Sequence, residues 1–122
     1  MSKTSPAPET FLPLTTAFFH VLLALAETER HGYAIMEHVT QTTDGQVKMG
    51  PGTLYGTIKR LLQMKLIEES DERPDPAFDD ERRRYYRLTE LGVRVMKAEA
   101  RRYDRLVKVA RASGLLGKPQ PA

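Results

Sequence analysis

Three apolar helical stretches, two short strand-like runs and one long amphipathic helix, in that order, predict a mainly α fold with a small two-stranded β wing. This is a winged helix-turn-helix followed by a C-terminal dimerisation helix. The chain has 122 residues, 40% hydrophobic and 29% charged, which suits one domain with a buried core. SKTSPAPET and GKPQPA contain four of the eight prolines and little to bury, so residues 1–13 read as a flexible arm and 117–122 as a flexible tail. Residues 14–88 then form the winged helix-turn-helix and 89–116 the dimerisation helix.

The first helix runs from Leu14 to Glu27, with Thr15 or Thr16 able to cap it. It is apolar around almost its whole circumference and must be covered on two sides, more than so small a chain can supply. A second subunit is the natural cover. The second helix, Gly32 to about Thr42, places Tyr33, Ile35, Met36 and Val39 on or near one face, and Thr43-Asp44-Gly45 breaks it. The third starts at Pro51, which a helix tolerates in its first turn, and continues through about Met64. Leu54, Ile58, Leu61 and Leu62 follow its core period; Thr53, Gly56, Thr57 and Arg60, flanked by Tyr55 and Lys59, form a small, polar, basic outer face. Leu66–Ser70 and Arg82–Leu88 read as antiparallel strands joined by the acidic segment DERPDPAFDDE. Thr89 opens the final helix, which Gly114 and Gly117 end near Leu116.

Along that last helix Met96, Ala100, Tyr103, Val107 and Ala110 recur every 3.5 residues on average, the spacing of a helix-to-helix seam. With Phe18, Phe19, Leu22 and Leu25 of the first helix they make up the expected dimer interface. Arg94, Lys97, Arg101, Arg102, Arg105, Lys108 and Arg111 outnumber Glu99 and Asp104 around that seam, and the ordinary reading of such a run is a solvated face.

Composition removes several function classes. The chain has no cysteine, so disulfide scaffolds, thiol nucleophiles and Cys-built zinc sites are out, and a reducing cytoplasm is the expected home. The apolar run AFFHVLLALA, Ala17 to Ala26, is shorter than the ~20 residues that span a bilayer. Glu9, a single Lys3 and Pro13 ahead of it do not suit an export leader. Three histidines without a metalloenzyme motif, and no phosphate-cradling loop or nucleophile elbow, point to no enzyme, no metal and no cofactor. A formal charge of +3 permits a polyanionic partner.

The third helix is suited to DNA. Its free N–H groups and positive dipole end can receive phosphate, Gly50, Pro51 and Gly52 allow close approach, and Thr53, Tyr55 and Thr57 carry hydroxyls ahead of Lys59 and Arg60. In the wing, Arg82, Arg83, Arg84 and Arg87 are set against Glu68 and Glu69, which can pair with them across the strands. The acidic loop tip would be repelled by phosphate, so Arg83 and Arg84 near the wing base are the expected contacts.

GPGTLYGTIKRLLQMKLI, the strand RRRYYRLTELG and the segment HGYAIMEHV occur together in the order and spacing of the PadR family of bacterial transcriptional regulators, which this chain resembles from about Leu14 to Val95. The resemblance implies a winged-helix homodimer that represses nearby genes from double-stranded operator DNA. In many members a small-molecule effector releases the DNA. It places Tyr33 on the backbone-contacting or core side of the second helix, Thr53, Leu54 and Tyr55 at the start of the recognition helix, and Arg84, Tyr85 and Tyr86 in the wing. Tyr33, Leu54 and Tyr86 thereby join Thr53, Tyr55, Thr57, Lys59, Arg60, Arg83 and Arg84 as candidate DNA contacts. Gly56 stands where the family often has proline, and Lys65 where it often has glycine. A dimer would read a palindrome whose half-sites lie about one helical turn, ~34–36 Å, apart. The rival reading is a winged-helix module that holds a protein through the same surfaces.

Overall fold

The computed structural model describes residues 6–70 and 84–117. Its elements are α1 (Thr16–Glu27), β1 (Arg30–His31), α2 (Gly32–Thr42), α3 (Pro51–Gln63), β2 (Ile67–Ser70), β3 (Tyr85–Leu88) and α4 (Glu90–Ala112). Thr15 caps α1 by accepting from the Phe18 N–H, and Thr89 caps α4 by accepting from the Gly92 N–H. The fold is the expected mainly helical one with a small antiparallel sheet. The sheet has three strands in the order β1-β3-β2, however, and not two. Arg30 pairs with Tyr86 and His31 with Tyr85, so the wing root is joined to the start of α2.

Leu22, Leu25, Ile35, Val39, Leu54, Ile58, Leu61, Leu66, Ile67 and Val95 make one continuous core. α1 packs against both α3 and α4, using Ala17 and Phe18 toward α3 and Phe19, Leu23 and Ala26 toward α4. Residues 8–12 of the expected arm pack on the body, and residues 1–5 lie outside the described residues. Pro8–Phe11 forms a 3-10 turn against α4, Phe11 and Leu12 pack on the core, and Leu12-Pro13 is a cis peptide. The Leu14 N–H donates to the Glu99 carboxylate at 2.9 Å, pinning the chain just before α1 to the middle of α4. Residues 118–122 of the expected tail lie outside the described residues.

α3 ends in a Schellman turn. The Leu66 N–H donates to the Leu61 carbonyl and the Lys65 N–H to that of Leu62, which requires a left-handed backbone at Lys65, φ 62°. α4 clamps this turn: Thr89 donates its hydroxyl to the Lys65 carbonyl and its N–H to Leu66. The Leu66 carbonyl oxygen presses so closely on Gly92 that a Cβ there would collide with it. The wing and α4 are thus tied to the turn that ends α3.

Candidate nucleic-acid interface

Helix α3 carries Leu54, Thr57, Ile58 and Leu61 inward, and Gly52, Thr53, Tyr55, Gly56, Lys59, Arg60 and Gln63 outward. The inward set contains two expected DNA contacts. Leu54 is fully buried and packs in the core, and Thr57 is only 7% exposed, which leaves its side chain little access to a base edge. Tyr86 is corrected in the same way: β-strand alternation turns it into the core while Arg87 faces out. Burial pushes the Tyr86 hydroxyl pKa up, with the Glu69 carboxylate adding to the effect.

Thr53, Tyr55, Lys59 and Arg60 share the exposed face of α3, and Tyr33 is exposed on α2. Gly50 caps α3 through its backbone and Pro51 fills the first turn, while a Cβ built at Gly50, Gly52 or Gly56 would meet nothing within 4 Å. The chain itself thus needs no glycine at these positions. The centre of the outward face is bare backbone, bordered by Thr53 and Arg60 on the α1 side and by Tyr55 and Lys59 on the other. Tyr55 lies over the start of α2, where its ring occupies the space a Gly32 side chain would need; it is 50% exposed, and Tyr33 one residue along is 62% exposed. Gln63, one turn beyond Lys59, belongs to this face and was not singled out from the sequence, although its i+4 spacing was there to be read.

Both described wing arginines are engaged within the wing. Arg87 Nε lies 2.9 Å from Glu68, its direct cross-strand neighbour, and Arg84 lies 3.2 Å from Glu69. These pairs are about half exposed, the kind that contributes little and is readily exchanged for another anion. Arg83 and the acidic loop tip lie outside the described residues.

The expected dimer residues divide by burial. Leu22 and Leu25 lie in the protomer's own core, and Met96, also buried, reaches the surface only in the α1–α4 cleft. Phe18 and Phe19 are half-buried, and Phe19 meets Tyr103 edge to face at 4.9 Å between ring centroids. Ala100 and Val107 are exposed and Ala110 half-exposed. A cleft of about 300 Å³ between α1 and α4 is lined by Phe19, Leu23, Ala26, Leu88, Val93, Met96, Lys97 and Ala100. Leu23, one position from Leu22, faces that cleft together with Phe19 and Ala26.

No group of three or more His, Asp or Glu able to hold a metal occurs among the described residues, and no described helix is long and apolar enough to cross a membrane.

Residues 21–98 match the model of the transcriptional regulator PadR-like family. The chain is 35% identical over 86 residues to an uncharacterized 37.1 kDa protein in a transposon of Streptomyces fradiae; the match covers 70% of this chain and 22% of that protein, so the chain spans about a fifth of that relative's length. A transcriptional regulator from Clostridium thermocellum superposes with a TM-score of 0.62 at 23% identity, covering 91% of this chain and 97% of the other. A PadR family transcription regulator from Clostridium difficile superposes with a TM-score of 0.62 at 21% identity, covering 80% and 97%. At these identities the likeness to the solved structures is one of fold.

Proposed function

The chain belongs to the PadR-like family of transcriptional regulators, and from that premise we propose that it acts in the cytoplasm as a homodimeric repressor, reading a palindromic operator through α3 and releasing it when a small molecule enters the α1–α4 cleft. One observation carries the reading. The outward face of α3 presents hydroxyls, two cations and bare glycine backbone, with no described atom within 4 Å of where a Gly52 or Gly56 side chain would begin. A helix so stripped can sit deep in a major groove, where Thr53, Lys59, Arg60 and Gln63 reach base edges or phosphates. Tyr33 and Tyr55 stand beside it at the start of α2, suited to phosphate oxygens. Arg84 exchanges its exposed glutamate for the backbone.

The dimer would be built from the half-buried face of α1, Phe19 and Leu23, and the exposed apolar positions of α4, Val93, Ala100, Leu106 and Val107. The cleft between these helices is apolar with Lys97 at its edge, which suits an aromatic or aliphatic ligand bearing a negative group.

The test is a titration of the purified protein against labelled DNA from upstream of its own gene, beside a scrambled duplex, across a salt series. Selective binding at two chains per site that weakens steeply with salt is the expected result. Equal weak binding to both duplexes, with a salt-insensitive protein partner recovered instead, would establish the interaction-module reading.

A further inference from the structure

We infer that the outer face of α4 is a second, sequence-independent DNA-binding surface, distinct from α3 and suited to the phosphate backbone of another duplex. Arg94, Lys97, Arg101, Arg105 and Lys108 follow one another at steps of 3, 4, 4 and 3 and so fall along one side of the helix, turned away from the core that Val95, Met96 and Glu99 face. All five are exposed. Over ~21 Å of helix they present a row of cations about as long as six base pairs of duplex.

Two features separate this row from an ordinary solvated face. Along the row the acids are Glu90, four residues before Arg94, and Asp104, three after Arg101 and 3.2 Å from Lys108, so five cations outnumber two carboxylates on this face. Arg94, Lys97, Arg101 and Arg105 form no ion pair among the described residues. Charge is also concentrated in this one element. α4 carries seven Lys and Arg against three Asp and Glu, a net +4, which exceeds the +3 of the whole chain. The rest of the chain sums to −1 even though α3 carries Lys59 and Arg60 without an acid, so α4 is the element with the largest positive charge.

The row and the α3 face belong to different helices, each packed against α1. One duplex on α3 leaves α4 open to a second. The surface offers charge without hydrogen-bonding amides or a pocket, which fits phosphate backbone and not base edges. A dimer would then hold two segments of DNA together.

The experiment uses the full chain and a variant Arg94→Gln/Arg101→Gln/Arg105→Gln, which keeps good helix formers, spares Lys97 at the cleft and leaves the Asp104–Lys108 pair intact. Beads carry the duplex from upstream of the gene, protein is added, and retention of a second, fluorescent duplex of scrambled sequence is measured against salt. The native protein should retain the second duplex at low salt. The variant should lose roughly tenfold or more of that retention, with the salt slope for the scrambled duplex falling by about 2 to 3, while keeping its affinity for the bead-bound DNA. Equal retention by both proteins would overturn the proposal and leave the α3 reading standing. Loss of all DNA binding in the triple variant, with none in Lys59→Ala/Arg60→Ala, would support the α4 surface and overturn the α3 reading. Capture of phosphatidylglycerol vesicles by the native protein without retention of the second duplex would assign the row to a lipid surface and overturn the proposal.

Discussion

Glu99 shows what a single position can hide. By composition it belongs with the charges of an exposed helix, but it is fully buried, accepting from the Leu14 N–H and from the guanidinium of Arg102, which also lies 4.8 Å over the Tyr103 ring. The signal was present in the sequence: Gly92, Val95, Met96 and Glu99 share one helical face, so a carboxylate there had to be partnered. The Arg102 hydrogen bond holds the Glu99 carboxyl below its usual range, against the opposing effect of burial. Its stabilising contribution is therefore complete above the ordinary carboxylate pKa and is lost as pH falls below about 4.5 toward the depressed value. His38 acts in a separate window. Burial, then the Arg30 charge, lowers its pKa, and its Nδ1 is buried without a partner among the described residues. The unfolded chain takes up that proton first, so stability declines as pH drops below 6.5 and levels off beneath the folded value. Chemical denaturation from pH 8 to 3 should thus show two acid-side declines. Glu99→Gln should cost about 1–3 kcal/mol at neutral pH and flatten the lower decline, whereas His38→Gln should flatten only the upper. A single decline that neither substitution alters would contradict both assignments.

At the scale of elements, four helices and two of the strands were legible because each spans enough residues to show a period. The strand β1 has two residues and no period to show, and it exists because the register of β3 brings Tyr85 and Tyr86 alongside Arg30 and His31. The turn after α3 was legible as a departure, Lys65 where glycine is frequent, and the structure gives its physical content: a left-handed residue closing a Schellman turn. Lys65→Gly should stabilise the fold by about 0.5–1 kcal/mol, the left-handed strain relieved less the entropy of the unfolded glycine. Gly92→Ala should do the opposite, costing roughly 2 kcal/mol or more, since its methyl meets the Leu66 carbonyl. Gly56 is the diagnostic case on α3. Alanine there meets nothing in the protomer and should raise stability by about 1 kcal/mol, some 4 °C in Tm, while weakening DNA binding if the helix lies close against a groove. Thermal melting and the upstream-DNA titration on one variant separate the two effects. A gain in both would mean that the bare face is not the reading surface.

For the whole molecule, the question is what α4 is for once it leaves the body. Its first half buries Val95, Met96, Ala98 and Glu99 against the protomer; beyond Tyr103 the same stripe continues through Leu106, Val107 and Ala110 with little of the chain to cover it, Leu106 being 49% and Val107 39% exposed. The 3.5-residue apolar period of α4 is readable in sequence, but the point where intramolecular cover gives way is not, because periodicity is the same on both sides of it. That boundary decides which substitution tests the dimer. Tyr103 is an ambiguous probe, since it packs on Phe19 of its own protomer and Tyr103→Asp would damage that contact as well. Val107→Asp alters an exposed residue that holds nothing together within the chain, so the protomer should keep its helical content and core. A buried, unpaired carboxylate at a two-fold seam is presented by both copies at once, and its cost is doubled by symmetry. Sedimentation across a micromolar concentration range should therefore show the native chain as a dimer and Val107→Asp as a folded monomer. With two half-sites no longer held by one particle, affinity for the upstream DNA should drop by the effective-concentration factor, on the order of 10²-fold or more. A Val107→Asp chain that stays dimeric at all concentrations would move the interface off this part of α4.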